Sequence, residues 1–318
     1  YGCDGCTSTL SLPQNTKFEG KEIFRGCSEF KGDLIIPEGS TFDSAATDTF
    51  RDCSSFTTLN IKSDKVTKIN DGTFQGCTNL KGTIPFENIK TIGKNAFSGC
   101  SSLSGPLHLS ATEIQEYAFC NCQGFTELIC EKPLEKVYKY AFYGCSGLTG
   151  TLDCTSLKEV HEYAFYGCSG LTGSINFTEN LEFINEYAFA NCKGLSDSLT
   201  FKVNTLTIDL GAFQGCTGFN KGTLRFIMKS SSNKEEDNAG RYYSYPYFLK
   251  IDTEAFEDTK FEDIYYLGRF APDCGYNSGL KGVKKIYTSA NFANKTFCGK
   301  TVKGKGGLSG GAIAGIVI

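Results

Sequence analysis

Apolar positions along this chain follow neither one helical nor one strand period from end to end. They return instead in blocks. Residues 140–150 and 163–173 are the same eleven, YAFYGCSGLTG, and the Phe-x-x-Cys at their centre recurs as Phe24/Cys27, Phe50/Cys53, Phe74/Cys77, Phe97/Cys100, Phe119/Cys122, Phe142/Cys145, Phe165/Cys168, Phe189/Cys192 and Phe213/Cys216, 22 to 26 residues apart. After each cysteine an apolar residue stands at +3 and usually a pair at +7 and +9, as in Leu148, Leu152, Cys154 and in Leu171, Ile175, Phe177. That alternation predicts a short strand whose +8 residue faces outward. A second cluster closes each block, Leu157, Val160, Ala164, Phe165 in one and Leu181, Ile184, Ala188, Phe189 in the next. The alanine lets backbones approach while the ring fills the space between two walls of a coil.

A block of this length cannot bury enough apolar surface to offset the entropy of ordering its own backbone, so neighbouring blocks must stack. The period belongs to the leucine-rich-repeat class of solenoid, with short parallel strands on the concave face and irregular return segments. The expectation is about ten repeats over residues 1–226. Although 318 residues would ordinarily suggest two globular domains, the repeat overrides that count.

The repeat also changes the meaning of 16 cysteines. Cys3-x-x-Cys6 would elsewhere suggest a redox pair or half a zinc site. Here YGCDGCTSTLSL aligns on YGCSGLTGTLDC, with Cys3 in the repeated column and Cys6 at +3, so the chain starts in mid-repeat. Ten cysteines then form one structural column: Cys3, Cys27, Cys53, Cys77, Cys100, Cys122, Cys145, Cys168, Cys192 and Cys216. Stacked side chains that point the same way are poorly placed for disulfides, so the column reads as buried free thiols able to donate to backbone carbonyls. Cys130 and Cys154 sit at apolar strand positions, and Cys120 lies on the turn beside Cys122. Cys274 and Cys298, beyond the regular array, are the candidate disulfide.

The pattern Ile-x-x-x-Ala-Phe-x-x-Cys-x-x-Leu, with a strand and often a proline after it (SLP at 11–13, IIP at 35–37), resembles the BspA-type leucine-rich repeats of mucosal bacteria and protist parasites. The resemblance implies a cell-surface protein that binds host cells, extracellular matrix or other microbes. It carries over no catalytic residue and no cofactor.

Regularity fails at 227–248, where a Ser, Asn and charge-rich loop precedes Tyr242, Tyr243, Tyr245, Tyr247 and Phe248. This cluster is either the packing of a terminal cap or a tyrosine-rich contact patch. IDTEAFEDTKF then restores the repeat in degraded form, with Thr259 in place of the cysteine, and 249–302 reads as a degenerate repeat and cap. Residues 303–318 read as a Gly-rich linker running into the start of a truncated transmembrane segment, which would make this a single-pass membrane protein with its repeats outside. Sequons at Asn176 and Asn294 are candidate glycosylation sites.

Chemistry is sparse. The net charge of −3, from 35 acidic and 32 basic residues, gives no footprint for nucleic acid. The two histidines, His108 and His161, fall on different walls, which disfavours a His-based triad or metal site. GKT at 299–301 lacks the upstream glycine of a phosphate loop, residue 294 being Asn. The chain is therefore read as a non-enzyme without cofactor, against the alternative of thiol chemistry at Cys120 or the Cys3/Cys6 pair. What remains is the outward strand row, Ser11, Ile35, Asn60, Pro85, His108, Ile129, Asp153, Asn176 and Thr200, flanked by small hydroxyl residues. Asn60, His108, Asp153, Asn176 and Thr200, with Tyr242, Tyr243 and Tyr245, form the candidate contact face for a protein or glycan of a host cell or matrix. A plain solvated sheet would look the same. The function expected is adhesion, and the rival reading is a structural or antigenic coat with no dedicated receptor.

Overall fold

In a computed structural model of the chain, residues 9–82, 84, 86–220, 222–228, 235–236, 242–243, 248–268, 271–288, 292, 294 and 296–302 are described. The architecture is a parallel β-solenoid of about ten turns. Helix among the described residues is confined to three-residue 3-10 turns at Phe86–Asn88 and Thr217–Phe219. Contacts divide the chain into two compact units, residues 1–152 with 160–171, and residues 153–159 with 172–318.

In the first unit one wall carries the longer strands. Gly32–Ile36 pairs in parallel with Phe56–Ile61, setting Ile35 beside Asn60, and Ser104–Leu109 pairs with Gly124–Cys130, setting His108 beside Ile129. The opposite wall is made of two-residue strands, Lys68–Ile69 on Thr91–Ile92 and Glu113–Ile114 on Lys136–Val137. Between the walls runs a stack of phenylalanine rings. Phe50 and Phe74 are 5.7 Å apart, Phe74 and Phe97 5.2 Å, Phe97 and Phe119 5.6 Å, Phe119 and Phe142 5.5 Å, and Phe142 and Phe165 5.2 Å. All six rings are fully buried. Each column thiol then ties its turn to the one before, Cys77 Sγ donating to the Phe50 carbonyl at 3.1 Å, Cys100 to Phe74 at 3.0 Å and Cys122 to Phe97 at 3.0 Å.

The second unit repeats the plan. Gly173–Phe177, Leu195–Val203, Thr223–Met228, Asp263–Tyr266 and Lys285–Thr288 form a five-stranded parallel sheet in that order. Phe189, Phe213 and Phe256 stack at 5.2 and 5.6 Å, so the degraded repeat completes a turn even though it stands 43 residues downstream in the chain (256 − 213). Thr259 replaces the thiol, but its hydroxyl donates to Phe256 within its own turn, at 2.7 Å, instead of reaching the previous one. Cys274 and Cys298 are joined in a disulfide with Cα atoms 5.3 Å apart. The joined segment includes a hairpin, Thr296–Phe297 with Lys300–Thr301, whose buried Phe297 packs on Tyr266 at 5.0 Å and Phe226 at 6.2 Å.

After Cys77 the described residues of the long wall pair through isolated bridges, Thr58 with Lys81 and Gly82 with Leu103, and after Cys145 the alternation overstates strand content, the wall being reduced to the bridge of Gly150 with Leu171. Near that last bridge, Asp153 Oδ1 accepts from the Thr155 amide at 2.9 Å and from its hydroxyl at 2.7 Å, a local turn that competes with ladder pairing.

Candidate functional site

The outward row of the long wall is the expected contact face, and the register aligns its members where strands exist. In the first unit Ser11 and Asn60 are exposed, and Ile35 beside Asn60 is 37% exposed. His108 is half-buried, with Nδ1 3.0 Å from Glu131 Oε1. Pro85 lies outside the described residues. In the second unit Asp153 is exposed but belongs to the turn just described and not to a strand.

Asn176 is exposed and pairs in register with Thr200, which continues to Arg225, Tyr265 and Tyr287. Thr200 corrects the sequence reading. It occupies the outward row yet is only 5% exposed, since a short side chain beside an arginine in the same row is shadowed by it. The three residues beyond it are new. Tyr265 and Tyr287 stack at 4.6 Å, and the Arg225 guanidinium lies 5.7 Å from the Tyr265 ring centre. Burial, then Tyr287 and Asp263, push the Tyr265 phenol above its ordinary range. Arg225 Nε has no hydrogen-bond partner and the guanidinium makes no ion pair among the described residues. With Lys202 and Lys285 on the same face against Asp263, an overall acidic chain presents here a locally cationic, aromatic surface. The smaller row beside it is hydroxyl-bearing, Ser174 and Ser198 meeting at 3.2 Å. Alternation within DIYYLG and KKIYTS would have marked Tyr265 and Tyr287 as outward. The insertion at 227–248 hides that they continue the same row.

Tyr242–Tyr243 pairs antiparallel with Glu235–Glu236, and Tyr245 lies outside the described residues. Of the sequons, Asn176 stands on the strand face, and Asn294 is exposed with its Oδ1 accepting from the Ala271 amide at 3.1 Å.

The cysteine column is a thiol column with one departure. Cys53, Cys77, Cys100, Cys122, Cys145, Cys168, Cys192 and Cys216 are free and buried. Cys27 is disulfide-bonded, contrary to the free-thiol reading; its partner, like Cys3 and Cys6, is outside the described residues. Burial pushes the Cys53 thiol up to about 12 and raises those of Cys77, Cys100, Cys122, Cys145 and Cys168 as well. Cys120 is raised by the same cause, partly offset by a hydrogen bond with Ser98. Thiols held protonated in this way are poor nucleophiles.

The return wall holds a feature the sequence reading did not see. Each turn needs a left-handed residue five positions before its cysteine. That residue is Asp48, Gly72 and Asn95 in three successive turns, but Tyr117, Tyr140, Tyr163 and Tyr187 in the next four, with φ between 54° and 57° for the tyrosines. Left-handed backbone costs a side chain such as tyrosine about 1–2 kcal/mol. Ring stacking offsets this by about 0.5–1.5 kcal/mol per pair. Tyr117 and Tyr140 stack at 4.7 Å, and Tyr140 and Tyr163 at 4.8 Å with planes 3° apart. A second file runs beside them, Tyr143 on Tyr166 at 5.0 Å, while Tyr138 stacks on His161 at 4.9 Å. All of these rings are half-buried. In the second unit the ring of Tyr187 lies over Gly211, where a Cβ would collide with it.

Among known proteins, the model of the BspA type leucine-rich repeat region matches residues 1–106 and 106–220, with six copies. A solved leucine-rich repeat protein from Bacteroides ovatus is similar at 20% identity over 85% of this chain and 82% of its own, with a TM-score of 0.43. No curated protein is significantly similar.

Proposed function

Because this chain belongs to the BspA-type leucine-rich-repeat family, we propose that it works at the cell surface as an adhesion protein, binding a protein or glycan of a host cell or matrix through the outward strand face of its second unit. The observation that carries the reading is the Arg225, Tyr265, Tyr287 row. Side chains there have few torsions to freeze or a rigid planar fork, and among the described residues the guanidinium has no ion-pair partner to give up on binding. The flanking serines and Asn176 supply hydrogen-bonding groups around that centre, the arrangement of anchors within a polar rim that interfaces favour. Attachment through a membrane segment that includes the apolar stretch at 312–318 belongs to the same proposal and is tested by partition of the full-length protein into detergent.

The test of binding is titration of the fluorescently labelled protein onto mucosal epithelial cells and immobilised matrix proteins, with an unrelated solenoid as control. Saturable binding above the control supports an adhesin. Its absence from folded protein overturns the proposal and leaves the repeats as a coat.

A further inference from the structure

We propose that the tyrosine ladder on the return wall of the first unit is a modification site, at which peroxidase-type one-electron oxidation links neighbouring turns as dityrosine. Three pairs are placed for it, Tyr117 with Tyr140, Tyr140 with Tyr163, and Tyr143 with Tyr166, at ring separations of 4.7, 4.8 and 5.0 Å. Those separations are close to that of two directly bonded rings, and the half-buried phenols can meet an oxidant at the surface. Geometry alone would not single the ladder out, because any repeat stacks what it repeats. The backbone does. Gly72 and Gly211, Asp48, Asn95, Glu22 and Glu254 serve the left-handed position in other turns, so an aromatic ring at four consecutive turns is a strained choice that the fold does not require.

The chemistry balances with hydrogen peroxide and a peroxidase as the oxidant. Each of two stacked phenols gives up one electron and its hydroxyl proton. The two radicals join through ring carbons ortho to oxygen, and the ortho hydrogens migrate to the oxygens as the rings regain aromaticity. The pair loses two electrons and two protons in all, and peroxide takes them up to give two waters. The product is a carbon–carbon staple between turns, and thiol reductants do not cleave it.

The wider surface provides an internal contrast. Tyr138 stacks on His161 at 4.9 Å, whereas Tyr276, in the second unit, is fully exposed. Dilute protein would be treated with peroxidase and limiting peroxide, separated into monomer and dimer, and mapped by mass spectrometry. The expected result is dityrosine fluorescence in the monomer, with links at 117–140, 140–163 or 143–166, each lowering the mass by two hydrogens, and a raised melting temperature. The double variant Tyr140→Phe with Tyr143→Phe keeps the rings but removes one phenol from every pair. It should melt like the untreated parent and lose the monomer signal. Dityrosine found only in dimers through Tyr276, or monomer links that survive in the double variant, would overturn the proposal.

Discussion

Raising the pH from 8 to 10 should weaken the fold of this protein through its cysteines. Six column thiols, those of Cys53, Cys77, Cys100, Cys122, Cys145 and Cys168, are shifted upward by burial from an ordinary value of 9.0. The folded chain therefore keeps six protons that the unfolded chain releases above about pH 9, so stability is full below that pH and falls as pH climbs toward the folded values, about 12 for Cys53. Across the interval from pH 8 to 10 each thiol removes on the order of 1 kcal/mol, and the six together several kcal/mol. That is comparable with the whole stability of an ordinary domain, about 5–15 kcal/mol. Urea unfolding followed by circular dichroism at pH 8, 9 and 10, on the parent and on Cys100→Ala, isolates the effect, because tyrosine and lysine ionisation is common to both. Cys100→Ala should start about 1 kcal/mol less stable through its lost hydrogen bond to Phe74, and then fall by on the order of 1 kcal/mol less over the interval. Parallel pH dependences for the two proteins would refute the reasoning.

Packing and backbone make further commitments. Phe142→Ala opens a gap between Phe119 and Phe165 and should cost about 3–5 kcal/mol in urea unfolding. Replacing Cys274 and Cys298 together by Ser releases a link across 24 residues and should cost the second unit about 3 kcal/mol, read as a lower midpoint and faster proteolysis after residue 268. Gly211→Ala, at φ +59° and against the Tyr187 ring, should destabilise clearly more than Gly26→Ala, at φ +70° with nothing within 4 Å; thermal melts of the two variants decide it.

The sequence made the coil, its period and the thiol column legible, because each rests on residue types repeated at fixed spacing. The Cys145 repeat, by contrast, keeps the apolar alternation of a strand without forming one. Hydrogen bonding around Asp153 is decided locally and leaves the apolar spacing untouched. Thr200 was placed on the correct row and its burial was still missed, since exposure there depends on the length of Arg225, which comes from the next strand. The Arg225, Tyr265, Tyr287 row escaped because 227–248 interrupts the count, and stacking across that insertion becomes visible only when Leu224 is seen to pair with Ile264. The tyrosine ladder was in plain view in YAFYGC, repeated twice. What the letters do not carry is the left-handed backbone beneath its first tyrosine.

The most direct test of the adhesion proposal compares three binding isotherms on the same epithelial cells and matrix proteins: the parent, a strand-face variant with Arg225→Ala, Tyr265→Ser and Tyr287→Ser, and the return-wall variant with Tyr140→Phe and Tyr143→Phe. The account predicts saturable binding by the parent, its loss in the strand-face variant with the circular dichroism spectrum unchanged, and its retention in the return-wall variant. Equal binding by the parent and the strand-face variant would contradict it.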